Sequence, residues 1–213
     1  MIKEYIMLDK NGFDLWAYEY DEAVDSSKSA GGYPFEGYDE VHGIIIDRIL
    51  RKPNATVLDV GLGTGRLSKV LYDRGYTIFG QDFSENMIKI AQSKMPIAEL
   101  YQGDFSLGLA APLKDKTFDF VVATYTLHHL TDEKKVAFIN ELLSRLNKGG
   151  EILIGDVSFP TKESMEKCKA VTGDAWDDLE HYIVAEEFKK FFPTLACAIV
   201  SPCACVLTIP SRN

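Results

Sequence analysis

The segment Val57-Leu58-Asp59-Val60-Gly61-Leu62-Gly63-Thr64-Gly65-Arg66-Leu67-Ser68 restricts the fold of this chain more than any other stretch. Residues 56–60 form a short apolar run, the pattern of a strand buried on both faces in a parallel sheet. Three glycines at alternate positions follow, and Leu67, Val70 and Leu71 then begin a helical pattern. Glycine lets the backbone turn tightly and approach a ligand, while the first turn of a helix presents N–H groups that have no partner within it. Strand, glycine turn and helix in that order are the layout of a nucleotide-cofactor loop.

The spacing narrows the ligand. A P-loop needs Gly-x-x-x-x-Gly-Lys-Ser/Thr, and no lysine stands at that place. A dinucleotide loop needs a glycine three positions after Gly63, where this chain has Arg66. What stands here is Gly61-x-Gly63-x-Gly65 behind Asp59. Asp82 closes the next strand-like run, residues 77–82, at about the spacing where an acidic side chain meets a ribose. A carboxylate suits a ribose because it can accept from both hydroxyls at once. Asp104 follows a third short run in the same way, with Phe105 beside it. An acid there can accept from an exocyclic amine while apolar neighbours cover the ring.

Residues 118–124 and 151–157 read as a fourth and a fifth strand, with helical patterns between the strands. Such alternation predicts an α/β fold with a parallel sheet and helices on both faces. Towards the N-terminus, Phe13, Trp16, Ala17 and Tyr20 share one helical face, and a polar loop over 25–32 leads to Tyr33, Phe35 and Tyr38. Tyr38, Val41, Ile45 and Ile49 then give the inner face of a helix ending near Arg51, before Pro53. Residues 1–52 thus read as a helical cover on a core of 53–213 in one domain, with 12–35 as a lid. Beyond the fifth strand the pattern predicts helices over 162–172 and 184–192, then strands over 195–200 and 203–209 around a Ser201-Pro202 turn.

The chain has 213 residues and a net charge of −9, which argues against a phosphate-binding surface and so against nucleic acid as a partner. No apolar run approaches membrane-spanning length, and Met1-Ile2-Lys3-Glu4 does not open a signal peptide, so no membrane partner and a cytoplasmic location are expected. Cys168, Cys197, Cys203 and Cys205 lack paired spacing and a nearby histidine, and read as small buried hydrophobes.

Asp59 with Gly61, Gly63 and Gly65, then Asp82, then Asp104, then Gly149-Gly150 before a fifth strand, come in an order that resembles the motifs of class I S-adenosylmethionine (AdoMet) methyltransferases. More narrowly, Phe13-Asp14-x-Trp16-Ala17-x-x-Tyr20-Asp21, Tyr33-Pro34-Phe35 and Thr124-Tyr125-x-x-His128-His129-Leu130-Thr131-Asp132-Glu133 resemble the YrrT type of uncharacterised bacterial methyltransferases. The resemblance spans nearly the whole chain. It implies a Rossmann-like, doubly wound sheet of seven strands in the order 3-2-1-4-5-7-6, with strand 7 antiparallel beside strand 5.

The same resemblance implies AdoMet as cofactor. The glycine turn of Gly61, Gly63 and Gly65 would approach its methionine part, Asp82 would take the ribose hydroxyls, and Asp104 the adenine amine. Phe83 and Phe105 would flank the ring, and Asp59 would order the loop and reach the amino group through water. With little chain left over to build a large substrate site, a small-molecule acceptor and in-line methyl transfer are expected. His128 and His129 follow the fourth strand, where ligands of such sheets bind, and His128 is the expected catalytic residue, as base or orienting group. No metal is expected, since adjacent side chains diverge and no third ligand stands out in sequence. Two alternatives share these features. One is a non-catalytic AdoMet-binding regulator; the other is an NAD-dependent oxidoreductase, disfavoured by Arg66 and by the lack of a Tyr-x-x-x-Lys pair after the fourth strand.

Overall fold

A computed structural model of the chain describes residues 32–212. The stripe of Phe13, Trp16, Ala17 and Tyr20 and most of the expected lid lie outside the described residues. The elements are α1 (Tyr38–Leu50), β1 (Thr56–Val60), α2 (Arg66–Tyr72), β2 (Thr77–Asp82), α3 (Glu85–Lys94), β3 (Glu99–Gln102) and β4 (Phe118–Thr124). They continue with α4 (Asp132–Leu143), β5 (Leu146–Phe159), α5 (Lys162–Thr172), β6 (Ile183–Val184), α6 (Ala185–Phe188), β7 (Ala196–Ser201) and β8 (Ala204–Pro210).

One sheet runs β3-β2-β1-β4-β5-β8-β7, with β6 added to β5 off that path. The first five strands are mutually parallel, while β8 lies antiparallel to β5 and β7 antiparallel to β8. This is the expected order 3-2-1-4-5-7-6. The two-residue β6 raises the count to eight strands and shifts the last two numbers by one. Because Val184 pairs with Phe159, the helix expected over 184–192 starts at Ala185, and it closes early, at Phe188. β5 begins earlier than the apolar run predicts, because Phe118 pairs with Leu146 across an irregularity that also holds Gly149 at φ 73°.

Alternation along the strands sorts the core into two layers. Leu58, Val60, Val121 and Ala123 pack with Phe138, Ile139 and Leu142 of α4. Val57, Phe120 and Val122 pack on the other face with Val41 and Ile45 of α1, Leu67 and Leu71 of α2, and Ala91 of α3. The sheet is therefore covered on both sides, which explains why β1, β2 and β4 are almost continuously buried. The predicted inner face of α1 is the buried one, Tyr38, Val41, Ile45 and Ile49. It can settle on the sheet because Gly155 stands below it: a Cβ there would lie 2.3 Å from Val41 Cγ1. Ser84 caps α3 as its position predicts, its hydroxyl accepting from Met87 N at 3.2 Å. These contacts bring the carboxyl ends of β1, β2 and β4 to one edge, where ligands of open α/β sheets bind.

Candidate functional site

Gly61, Gly63 and Gly65 have φ of 67°, 54° and 80°, a left-handed conformation that favours glycine at each. The turn is fastened from both sides. Gly61 N donates to Gln81 O at 2.8 Å, and the Asp82 carboxylate accepts from Gly63 N and from Ser84 N, each at 2.9 Å. Asp82 thus ties the glycine turn to the start of α3, and takes these two donors on a group with about four acceptor positions. Gly65 serves the fold in another way, as the N-cap residue of α2, packed against Met95 and Ala91.

Asp59 is buried inside β1. One oxygen accepts from Ser68 Oγ at 2.6 Å, and the other, Oδ1, finds no partner among the described residues. Burial pushes its pKa up to about 7, against the lowering effect of the Ser68 bond and with a further push from the Asp82 charge. An acid whose folded pKa is raised loses stability for the protein as pH climbs from its ordinary value of 3.8 towards 7. Asp59→Asn removes that dependence. Between pH 5 and 8 the stability difference should move in favour of the variant by about 2–3 kcal/mol at most. Denaturant midpoints at the two pH values check this, and an unchanged difference would contradict a buried, titrating Asp59.

Two adjoining open concavities, about 340 and 420 Å³ with the solvent space at their mouths included, meet at this turn. Gly61, Gly63, Thr124 and Tyr125 belong to both walls. The first also takes in Tyr38, Asp59, Arg66 and Leu67, and the second is completed by Asp82, Phe83, Met87, Phe105, Thr126 and His129. Asp104 lies in neither wall. It is exposed, and its carboxylate accepts from Ser106 N at 2.8 Å, capping the 3-10 turn that presents Phe105.

Among the wall residues that the sequence does not mark as site residues, Tyr125 stands out. Tyr125 has φ 49°, an unusual conformation for a bulky residue, held by its N–H donating to Gly155 O at 2.8 Å and by stacking on Tyr38 at 4.9 Å. Its hydroxyl is buried with no hydrogen-bond partner among the described residues. Of the two histidines expected near the ligand, His129 rather than the favoured His128 lines a wall. The 3-10 turn Leu127–His129 sends His129 into the second wall and His128 beneath it, in neither wall. The only sequence signal for either was position, directly after a buried strand that ends at the site.

His128 is part of a buried network. Asp156 Oδ2 accepts from the backbone N–H of Thr126, Leu127 and His128, and its Oδ1 meets Val157 N at 2.8 Å and His128 Nδ1 at 2.6 Å. Glu180 Oε1 stands 3.5 Å from His128 Nε2. Burial alone would lower the His128 pKa, but the Asp156 charge and hydrogen bond, with Glu180 behind them, outweigh it and raise it. Burial alone would likewise raise Asp156, and His128 with the backbone donors brings it below the usual carboxylate range. His129 is held well below the ordinary histidine range, by desolvation in the cleft and by the neighbouring His128.

Residues 57–150 match the family described as "Methyltransferase domain". An uncharacterised methyltransferase of Alkaliphilus oremlandii is 38% identical over 151 residues, covering 71% of this chain and 68% of the relative. The uncharacterised methyltransferase YrrT of Bacillus subtilis is 32% identical over 207 residues, covering 93% and 92%. The chain belongs to this methyltransferase family. The fold agrees. A DhpI–SAH complex superposes with a TM-score of 0.67 at 21% identity over 96% of both chains. Magnesium protoporphyrin IX methyltransferase (ChlM) of Synechocystis, with bound SAH, does so at 0.65 and 19%, covering 83% and 84%.

A class I methyltransferase takes its methyl from AdoMet, and the residues of this site suit that molecule. Asp59 Oδ1, without a partner among the described residues, suits a cationic or amino group. Gly61 keeps the turn open: a Cβ on it would meet Thr126 Oγ1 at 2.4 Å. Apolar Phe105 and Met87 beside acidic Asp82 suit a ring carrying a diol. No helix among the described residues is long and apolar enough to cross a membrane.

Proposed function

We propose that the protein transfers the methyl group of AdoMet to a small-molecule acceptor by in-line displacement. The observation that carries this reading is the shared wall of Gly61, Gly63, Thr124 and Tyr125, along which one elongated ligand would lie across both concavities. Asp82, Phe83, Met87 and Phe105 would hold its adenosine half, with Asp104 at the rim on the adenine side. Asp59, Arg66 and the glycine turn would hold the methionine half. AdoMet brings a methyl on a sulfonium, already activated towards a nucleophile aligned behind it. The chain's part is then mainly to position and desolvate the two reactants.

Tyr125 and His129, at the junction and beside it, would meet the acceptor. His128 would act from behind this wall, through the groups it holds in place. The aromatic group of Tyr33, Phe159, Trp176 and Tyr182, with Tyr33 and Tyr182 joined through their hydroxyls, packs with Tyr125 and would supply a small acceptor pocket. In this reading residues 1–52 cover a core of 53–213, and the four free cysteines fit a reducing cytoplasm.

Formation of the demethylated product from AdoMet with a low-molecular-weight metabolite extract tests the reading, and mass spectrometry of the extract would name the acceptor. Intact AdoMet binding without turnover on any fraction would leave a regulator instead. Asp82→Ala should weaken AdoMet binding by about 1.5–3 kcal/mol, or roughly 10- to 150-fold. A folded variant with unchanged affinity would remove Asp82 from the ribose site.

A further inference from the structure

His128 and His129 are consecutive, yet the turn that carries them brings their rings to 4.1 Å between centroids. Glu180, from the segment between α5 and β6, reaches the same point. One ring nitrogen of each histidine and one carboxylate oxygen of Glu180 all lie within 4.8 Å of one another. The segment is fixed there: His181 N donates to His128 O at 2.9 Å, and the buried Lys135 ammonium donates to His181 O. Glu180 adds a third donor atom to the pair, one that the sequence does not reveal.

The tautomer of His128 follows from its partners. The Asp156 carboxylate is surrounded by backbone N–H donors and acts as an acceptor, so His128 Nδ1 carries the hydrogen and donates to it. In the neutral ring the lone pair then sits on Nε2, facing Glu180 Oε1 at 3.5 Å. In that form two acceptors face each other, an arrangement that a cation between them would stabilise. A proton in that place draws nitrogen and oxygen to about 2.7–2.9 Å. Two ligands each about 2.0–2.1 Å from one tetrahedral ion stand roughly 3.3–3.5 Å apart. The observed 3.5 Å matches the spacing of two such ligands. A carboxylate behind the other ring nitrogen is also the usual support of a metal-bound histidine.

We propose that His128 Nε2, His129 and Glu180 bind one divalent ion of the zinc type. Two imidazoles and one carboxylate suit zinc rather than magnesium or calcium, and three protein ligands leave a fourth position open. His129 places that position beside the second concavity. Holding an oxygen or sulfur of the methyl acceptor there rests on the function proposed above; binding of the ion does not.

The test uses full-length protein without an affinity tag, stripped by chelation and titrated with Co²⁺ under visible absorption, then with Zn²⁺ in competition. Saturation at one equivalent, with the bands of a low-coordinate cobalt ion, is expected. His129→Ala and Glu180→Gln alter side chains that are partly open to solvent, so both should fold, as circular dichroism would show. Each should weaken the ion by at least the roughly 10- to 100-fold that loss of a supporting partner alone brings. Absence of saturable binding, or equal affinity in both variants, would overturn the proposal. A thiolate-to-cobalt charge-transfer band would also overturn it, by placing the ion on a cysteine. AdoMet binding measured on the same stripped protein keeps failure of the metal site separate from failure of the cofactor reading.

Discussion

Replacing Asp156 by alanine is expected to destabilise the protein by about 3–5 kcal/mol, the usual effect of removing one partner from a buried charged pair. The carboxylate is 1% exposed, and its loss strands His128 Nδ1 together with the N–H groups of Thr126, Leu127, His128 and Val157. Those donors shape the turn after β4, so the wall carrying Tyr125 and His129 should loosen with the fold. The pH dependence has two limbs. The His128 pKa is raised, so its share of the stability is complete below its ordinary value of 6.5 and is lost as pH rises through the raised one. The Asp156 pKa is depressed, so its share is present above 3.8 and is lost as pH falls through the lower value. Wild type and variant should therefore differ most between these limits. Urea denaturation at pH 5–6 gives the difference; a gap below about 1 kcal/mol would mean that the network contributes no more than an ordinary hydrogen bond.

Gly61→Ala should lower stability by a comparable amount for a different reason. At φ 67° an L side chain costs about 1–2 kcal/mol in backbone strain. The new methyl would also stand 2.4 Å from Oγ1 and 2.5 Å from Cγ2 of Thr126, an overpacking of about 1–3 kcal/mol. Together these come to about 2–5 kcal/mol, and the displaced turn should bind AdoMet more weakly as well. Thr126→Gly in the same chain removes the clash but not the strain. The double variant should therefore be more stable than the two single losses add up to. Strict additivity would show that Thr126 does not set the position of the turn.

The sheet order was legible because buried parallel strands leave continuous apolar runs, and because the glycine turn and Asp82 mark the ends of the first two. The inner face of α1 and the Ser84 cap were legible for the same local reasons. What lay beyond sequence was contact between distant segments. Nothing at Asp156 announces that it anchors His128, and nothing at Glu180 announces that it meets both histidines. β6 is two residues long and exists only because β5 runs on beside it. The choice between His128 and His129 depends on which way a 3-10 turn rolls, and apolar periodicity carries no information about that. Asp104, read with the other acids by its place after a strand, was assigned without sight of the turn it caps.

Calorimetric titration of the purified protein with AdoMet, with its demethylated product and with NAD probes the cofactor site itself. Saturable one-to-one binding of AdoMet and of the product is expected, with no heat from NAD. Saturable NAD binding in a protein that takes up neither AdoMet nor its product would contradict an AdoMet site at the glycine turn.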